Sequence, residues 1–320
     1  MLKVAVTDYN FGDLAVEKEI LEPLGCEIKS QQKYEDQQNL IDLVADADYV
    51  ITQFAPVTGP VVNAMERCKV IVRYGIGVDN VDLVTAAKKG IPVCNVPDYC
   101  IDEVADHTLA LILALTRKVV PNRENIKNGR WGLAVPLEQM QVLKRTTVGV
   151  VAYGKIGREV ALRLKGFKCP VLVFDPFVDS SVIERDGFIP ATMEEVFTKS
   201  DLISLHCPST AETKYLINAE SIGKMKKGVL LVNTSRGTLV KTDDLIMALK
   251  SGQIGAVALD VTDPEPIPAD SPLLKMENVV IGSHIAWASI TSVQTLRRSA
   301  ADIVACAIKG EELPNIVKIK

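Results

Sequence analysis

Short runs of β-branched and aliphatic residues alternate with amphipathic segments along almost the whole chain. This alternation predicts parallel strands joined by helical crossovers. The predicted strands cover residues 3–6, 27–29, 49–52, 69–73 and 92–94, and then 147–152, 170–175, 202–206, 229–233, 256–261 and 279–283. Five strands are typical of a flavodoxin-like unit, and six of a dinucleotide-binding sheet. The predicted fold class is therefore α/β, with two doubly wound parallel-sheet domains.

Three further segments suggest how the two domains are connected. Residues 101–118 form a long helical pattern that is apolar on most faces, which favours burial between two domains. Residues 119–145 are rich in Pro, Gly and charge, and we expect an arm or an interface segment there. The chain after Trp287 reads as helical, with no strand position left, and we expect it to return to the first domain. The predicted domains are residues 1–98 with 289–320, and residues 99–288.

Charge and composition exclude several classes of protein. The chain has 36 basic and 40 acidic residues and no run of Lys or Arg, so a nucleic-acid or anionic-lipid binder is not expected. The longest apolar stretch, residues 109–116, is far shorter than the ~20 residues that cross a bilayer. Seven scattered cysteines without a C-x-x-C pair argue against disulfides and a zinc site. We therefore expect a cytoplasmic protein without a metal.

Residues 147–157 run from a strand into a glycine turn with the spacing A-x-G-x-x-G. Gly154 would let the backbone approach a pyrophosphate, and Gly157 would let the following helix pack closely on the strand. The helix N-terminus would offer N–H groups to the anion. Ala152 departs from the usual glycine, because alanine takes a positive φ only at a cost. An ordinary strand-to-helix turn is the alternative.

Asp175 strengthens the nucleotide interpretation. It ends the next predicted strand, 18 residues after Gly157, where a carboxylate accepts hydrogen bonds from the adenosine ribose. A carboxylate there would repel a 2′-phosphate, so NAD is favoured over NADP. The alternative is a strand-end Asp that only shapes the turn with Pro176.

Three late strands end in segments that carry a cation, a carboxylate and a histidine: Arg236, Glu265 and His284. Ligands of doubly wound sheets bind beyond the carboxyl ends of the strands. Arg236 can hold a substrate carboxylate in a bidentate grip, and His284 can remove a hydroxyl proton as hydride leaves. Glu265 would orient the ring of His284 and favour its protonated form. Singly these residues could be an ion pair, a loop charge and a structural histidine; jointly they favour oxidation of a 2-hydroxy acid.

The segments N-T-S-R-G at 233–237, D-V-x-x-x-E-P at 260–266 and H-I-A-W at 284–287 resemble the D-isomer-specific 2-hydroxyacid dehydrogenase family. Residues 73–80 and 104–109 extend the resemblance to nearly the whole chain. It implies an NAD-dependent oxidoreductase that transfers hydride reversibly between NAD(H) and a small 2-hydroxy or 2-oxo acid. It also implies a flavodoxin-like substrate domain, a Rossmann NAD-binding domain and an active site in the cleft between them, with Arg236, Glu265 and His284 as catalytic residues.

The resemblance implies further contacts. The turn at Tyr74, Gly75 and Ile76 would offer backbone N–H groups to the substrate carboxylate. Asp260 would meet the nicotinamide carboxamide, and His206 would line the adenosine side of the cofactor cleft. The full set of implied cofactor contacts is Gly154, Lys155, Ile156, Gly157, Asp175, His206, Cys207, Thr108, Thr234, Ser235, Asp260 and Trp287. His107 is expected to pack on the long helix, and residues 119–145 make a homodimer an expectation.

Some residues separate branches of the family. Glu265 argues against formate as substrate, because formate dehydrogenases of this family carry Gln there. Cys100 stands where many phosphoglycerate-type members have Asn. Residues 94–100 and Trp287 look more like the C-terminal-binding-protein branch, so an NAD(H)-sensing corepressor is the alternative function. We expect no extended tail beyond the two-domain core, which favours the enzyme. The identity of the 2-hydroxy acid stays open.

Overall fold

The computed structural model describes residues 1–318 and shows two compact units. One unit contains Met1–Tyr99 together with the chain from Ala288 onwards, and the other contains Cys100–Trp287. Each unit is built around its own parallel sheet. The fold class predicted from the alternating pattern is thereby confirmed.

The sheet of the first unit has the strand order β2-β1-β3-β4-β5, with every pair parallel. Its strands are β1 (Leu2–Val6), β2 (Cys26–Ser30), β3 (Tyr49–Thr52), β4 (Ile71–Arg73) and β5 (Val93–Cys94), and its crossover helices are α1 (Ala15–Leu21), α2 (Gln37–Val44), α3 (Gly59–Ala64) and α4 (Leu83–Lys88). This is the flavodoxin-like order. All four residues of β3 are buried, as expected for a central strand covered on both faces.

The second unit holds a seven-stranded parallel sheet with the order β12-β11-β10-β9-β6-β7-β8. Its helices are α5 (Ile101–Arg117), α6 (Val119–Lys127), α7 (Lys155–Gly166), α8 (Ser180–Arg185), α9 (Met193–Lys199), α10 (Ala219–Lys224) and α11 (Thr242–Ser251). Its strands are β6 (Val148–Val151), β7 (Val171–Phe174), β8 (Ile189–Pro190), β9 (Leu202–Leu205), β10 (Val229–Asn233), β11 (Ile254–Leu259) and β12 (Val279–Ile281). The order reverses between β6 and β9, which makes that boundary the switch point of a Rossmann sheet.

Two predictions about the second unit need correction. The sheet has seven strands rather than six, because β8 was not predicted. This strand is two residues long, lies at the sheet edge and contains Pro190, so it carries no period-two pattern. Helix α7 begins at Lys155, within the segment at 147–157 that was predicted to contain only a strand and a glycine turn.

Helix α5 and the segment after it differ in burial. Eight residues of α5 are buried, and the helix packs against α7 and against strands β10 and β11 of its own sheet. Helix α6 has no buried residue. The chain that follows α6 contains only 3₁₀ turns at Leu137–Gln139 and Leu143–Arg145, and Trp131 within it is 95% exposed. No side chain of residues 119–142 is buried, whereas Leu143 is; that the segment is an arm or an interface stays a prediction.

The chain returns to the first unit through α12 (Ile290–Lys309), which packs on α1. Ser289 begins this helix by accepting a hydrogen bond from the N–H of Ser292. Beyond the helix, Ile316 forms an antiparallel bridge with Cys94. The expectation of a purely helical return was thus incomplete, because one extended contact was missed. Within residues 1–318 no helix is both long and apolar enough to span a membrane.

Candidate active site

The glycine turn joins β6 to α7 at the switch point of the second sheet. Ala152 takes the left-handed conformation, with φ +75°, which costs about 1–2 kcal/mol for a residue with a Cβ. Its N–H donates to the carbonyl of Phe174 at 2.7 Å, which holds it in place. A Cβ on Gly157 would lie 2.1 Å from the carbonyl oxygen of Ala152, so only glycine fits there. The alanine is therefore accommodated in the turn, and Gly157 has the packing role expected of it.

The start of α7 is open. Gly154 and Lys155 are exposed, and a Cβ added to Gly154 would meet nothing within 4 Å. The N–H groups in the first turn of α7, which include that of Ile156, have no acceptor within the helix. Gly154, at the N-cap, has no side chain that could accept from them. Such a helix start favours an anionic group.

Asp175 follows β7 and touches the same turn. One carboxylate oxygen accepts the N–H of Tyr153 at 2.7 Å, and the other accepts the N–H of Phe177 at 2.8 Å. Each oxygen keeps a further lone pair for another donor. Asp175 therefore stabilises its own turn, and its carboxylate can still accept a hydrogen bond from a ribose hydroxyl.

His206 and Cys207 follow β9, beside the glycine turn. The Nε2 atom of His206 lies 2.8 Å from Ser204 Oγ, and burial lowers the pKa of His206 to about 4. The His206 Cβ would contact a Cβ on Gly157 at 3.3 Å. Cys207 is buried, which raises its thiol pKa to about 11, and its carbonyl accepts the hydroxyl of Ser235. Both side chains are uncharged and lie beside the glycine turn.

The turn after β10 is folded by Asn233. Its side-chain nitrogen donates to the carbonyl of Arg236 at 2.8 Å, and its side-chain oxygen accepts the N–H of Ser235 at 3.0 Å. The hydroxyls of Thr234 and of Thr108 on α5 lie 2.9 Å apart. The predicted residues Thr108, Thr234 and Ser235 are thus brought to the same strand end.

Arg236 ends this turn, directly before a close backbone contact. A guanidinium nitrogen of Arg236 donates to the carbonyl of Ser235 at 2.7 Å. A Cβ on Gly237 would lie 1.9 Å from the carbonyl oxygen of Thr262, so glycine is needed where the turn after β10 meets the segment after β11. That segment carries Glu265, whose pKa is lowered in part by the charge of Arg236.

His284 and Glu265 form a direct pair. His284 Nδ1 lies 2.6 Å from a carboxylate oxygen of Glu265, and their side chains are 26% and 41% exposed. Burial acts to raise the pKa of Glu265, but the hydrogen bond and charge of His284, a backbone hydrogen bond from Thr262 and the charge of Arg236 together bring the pKa below its ordinary value. The ionised carboxylate therefore fixes the ring of His284 through Nδ1.

The backbone at His284 is held in a rare conformation by Asp260. His284 has φ +57°, and its N–H donates to the Asp260 carbonyl at 2.7 Å. The buried Asp260 carboxylate accepts the N–H groups of Ile285 and Ala286, at 3.0 and 2.8 Å. The Trp287 indole N–H donates to the carbonyl of His284 at 2.8 Å. Trp287 is itself buried, and its hydrogen bond stabilises the turn that contains His284.

His107 on α5 also approaches Asp260. Its Nε2 lies 3.7 Å from an Asp260 carboxylate oxygen, too far for a good hydrogen bond. His107 Nε2 is buried without a hydrogen-bond partner in the described part of the chain. His107 therefore lies on the long helix, and one edge of its ring also approaches a carboxylate.

The predicted substrate turn belongs to the first unit and follows β4. The Tyr74 side chain is 1% exposed, and its hydroxyl donates to Glu17 at 2.8 Å. The N–H groups of Tyr74 and Gly75 donate to the carbonyls of Thr52 and Arg73, both at 2.8 Å. Within residues 1–318, the N–H of Ile76 meets no acceptor. Of the three predicted donors, Ile76 is therefore the one still available.

Sequence reasoning missed the residues that hold these turns. Asn233 was inside a quoted motif without a role, although the side chain of an Asn at the start of a turn often bonds the backbone two residues on. Glu17 lies on a short helix and is 0% exposed, a burial that its sequence pattern does not reveal. Within residues 1–318, no group of three or more His, Cys, Asp or Glu side chains is arranged to hold a metal.

The second unit fits a dinucleotide on its own geometry. The open helix start at Gly154 suits a pyrophosphate, and Asp175 keeps acceptor capacity beside the same turn. The close approach required of Gly157 is present. The residues present therefore match the requirements of the group predicted to bind.

Comparison with known proteins gives an independent result. A family model described as D-isomer specific 2-hydroxyacid dehydrogenase, NAD binding domain, matches residues 109–286. A glyoxylate reductase of Korarchaeum cryptofilum is 36% identical, over 87% of this chain and 85% of its own. A hydroxypyruvate reductase of Blautia hydrogenotrophica is 33% identical over 99% of each chain. The structure of D-lactate dehydrogenase from Aquifex aeolicus, complexed with NAD and lactic acid, has a TM-score of 0.86, 30% identity and 96% coverage of both chains.

Proposed function

The chain belongs to the D-isomer specific 2-hydroxyacid dehydrogenase family, and from that premise we propose which of its residues perform the reaction. It is an NAD-dependent oxidoreductase that acts on the CH–OH group of a 2-hydroxy acid. All the relatives described above are enzymes by name, so the comparisons favour the dehydrogenase over the corepressor alternative. The bound NAD(H) supplies or accepts the hydride.

We assign cofactor binding to the second unit. The start of α7, at Gly154, Lys155, Ile156 and Gly157, receives the pyrophosphate, and Asp175 accepts from the ribose hydroxyls. Support comes from the open space at Gly154 and from the spare acceptor capacity of Asp175. Thr108, Thr234, Ser235, His206 and Cys207 line the same side as uncharged wall residues.

We assign proton transfer to His284. During reduction of a 2-oxo acid its Nε2 gives a proton to the developing alkoxide, and during oxidation it takes the hydroxyl proton. Glu265 holds the ring by Nδ1 and so orients it. Arg236 binds the substrate carboxylate. The single observation that carries the proposal is the 2.6 Å pairing of Glu265 with His284.

Asp260 and Trp287 are assigned to orientation of His284. The carboxylate of Asp260 is already engaged with two backbone N–H groups, and each of its oxygens retains a lone pair for the nicotinamide carboxamide. Trp287 fixes the His284 carbonyl. Both residues thus maintain the turn that presents the imidazole.

We propose small 2-oxo acids as substrates, with glyoxylate and hydroxypyruvate as the first candidates because the two relatives bear those names. The first unit serves as the substrate domain, where the N–H of Ile76 is available to a carboxylate. The test is NADH oxidation by the purified protein with glyoxylate, hydroxypyruvate, pyruvate and branched 2-oxo acids. Absence of turnover with every member would reject the proposal.

Two properties of the whole protein are part of the proposal. Residues 119–145 expose Trp131, Leu133 and Leu137, which supports a homodimer through this segment. A sizing measurement with light scattering should give the mass of two chains, and Trp131→Ser should shift it towards one. We propose a cytoplasmic location, since none of the seven cysteines forms a disulfide in the described residues, and cell fractionation tests it.

A further inference from the structure

The first unit contains a buried charged pair outside the residues assigned above. Glu17 on α1 is 0% exposed, and Arg297 on α12 is 9% exposed. The guanidinium donates to the two carboxylate oxygens of Glu17, from Nε at 3.0 Å and from a terminal nitrogen at 2.8 Å. The same terminal nitrogen also donates to Asp13 at 3.0 Å.

Such a pair needs an explanation other than stability. Removing two charges from water is costly, and a buried ion pair contributes little net stability compared with apolar side chains of similar size. Its geometry, however, is well defined. The Arg297 guanidinium lies over the ring of Phe11, 4.7 Å from the centroid, which fixes its plane.

Tyr74 is the third member of the cluster. Its hydroxyl donates to Glu17 at 2.8 Å, and its ring meets that of Phe11 edge to face, with centroids 5.3 Å apart. Burial and the charge of Glu17 raise the pKa of Tyr74 well above its ordinary value, so the phenol stays protonated and donates. Ring, hydroxyl and backbone N–H of Tyr74 are therefore all anchored.

The anchored residue opens the substrate turn. The Gly75 carbonyl accepts the N–H of Val96 at 3.0 Å, and the Ile76 carbonyl accepts the side-chain amide of Asn95 at 2.6 Å. The N–H groups of Ile76 and Gly77 find no acceptor within residues 1–318. The turn thus has fixed carbonyls and two N–H groups available to a ligand.

We propose that Glu17 and Arg297 are positioning residues, which act through the Tyr74 hydroxyl to preorganise the N–H groups of Ile76 and Gly77 for the substrate carboxylate. This inference rests on the proposed function. A site held in its productive geometry before binding saves the cost of ordering it on binding. Loss of the anchor should therefore weaken substrate binding more than it slows the chemical step.

The test compares two phenylalanine variants. Tyr74→Phe removes the anchoring hydroxyl and keeps the ring, while Tyr49→Phe removes the hydroxyl of another tyrosine that is 1% exposed in the same sheet. For Tyr74→Phe we expect the KM of the 2-oxo acid to rise about fivefold to tenfold, with kcat within about twofold and NADH affinity unchanged. Tyr49→Phe should leave all three values unchanged. An unchanged KM in Tyr74→Phe, or an equal rise in both variants, would overturn the proposal.

A second measurement does not depend on activity. Amide hydrogen exchange of a peptide that covers residues 74–77 should accelerate in Tyr74→Phe and in Glu17→Gln, and should match wild type in Tyr49→Phe. Unchanged exchange in both cluster variants would overturn the positioning role even if the enzyme is active. Conversely, a wild-type protein that reduces no 2-oxo acid rejects the proposed function, and the exchange result still decides whether the cluster fixes the turn.

Discussion

Two strand ends of the same sheet each carry a histidine in a different environment. His206 follows β9, pairs with the neutral hydroxyl of Ser204, and has a pKa lowered by burial to about 4. His284 follows β12, and its Nδ1 pairs with the carboxylate of Glu265 at 2.6 Å. A position at a carboxyl strand end is common to both. The charged partner distinguishes His284 from His206 and supports the proposed role of His284 in proton transfer.

The backbone differs as well. The N–H of His206 donates to the Val151 carbonyl, which continues the ladder between β9 and β6. His284 instead takes φ +57°, a conformation that costs about 1–3 kcal/mol and persists where surrounding contacts fix it. Asp260 and Trp287 supply those contacts. Strain is therefore found after β12, at the proposed acid/base His284, and not at the end of β9.

Replacement of each histidine gives the strongest contrast. We expect His284→Ala to lower kcat by about a thousandfold, since general acid–base catalysis is lost. NADH binding should persist in that variant. His206→Gln, which keeps a neutral polar side chain near Ser204, should retain kcat within about threefold. Steady-state reduction of a 2-oxo acid and a fluorescence titration with NADH measure the two properties; comparable kcat losses in both variants would show that the environments do not separate their roles.

Glu265 tests whether the carboxylate makes the difference. Glu265→Gln keeps an oxygen near Nδ1 but removes the charge, and we expect kcat for reduction to fall by about a hundredfold. Steady-state reduction of a 2-oxo acid at saturating NADH measures the loss. Glu277→Gln, an exposed carboxylate just before β12, is the control. A kcat of Glu265→Gln within about twofold of wild type would show that the charge of this carboxylate is not needed.

The contrast also shows how far the sequence could predict the fold. Periodicity found eleven strands and the long helix, because buried parallel strands and amphipathic helices leave strong local patterns. It missed β8, since a two-residue edge strand with a proline has no pattern to detect. It also missed the bridge from Cys94 to Ile316, which depends on a tertiary contact.

The candidate site was predictable where a motif carries its own chemistry. The segments with Arg236, Glu265 and His284 are local in sequence and recur as recognisable motifs. The contacts that hold them are not local: Asp260 binds N–H groups 25 and 26 residues away, and Glu17 pairs with Arg297 across 280 residues. Tyr74 was expected to offer its backbone N–H to a substrate, yet that N–H is bound to the Thr52 carbonyl and the ring is buried.

A substitution of Asp175 tests whether the strand ends near His206 bind the cofactor. Asp175→Ala removes the acceptor beside the glycine turn, and we expect the NADH dissociation constant to rise about 30-fold through loss of roughly two hydrogen bonds. The preference for NADH over NADPH should shrink, since the repulsion of a 2′-phosphate is lost. Asp179→Ala, which removes the carboxylate that begins α8, is the matched control. An unchanged cofactor preference would show that Asp175 only stabilises its turn and does not contact the ribose.

The smallest effect concerns stability. The pKa of His206 is about 4 in the folded protein and ordinarily about 6.5, so the unfolded chain binds a proton between these values and the folded chain does not. The stability contributed by neutral His206 is present above about pH 6.5 and is lost as pH falls towards 4. After allowance for partial exposure we expect a loss of about 1–2 kcal/mol. Urea unfolding of wild type and His206→Gln at pH 7 and pH 4.5 measures this loss of stability. An equal loss in His206→Gln would show that protonation of His206 does not cause it.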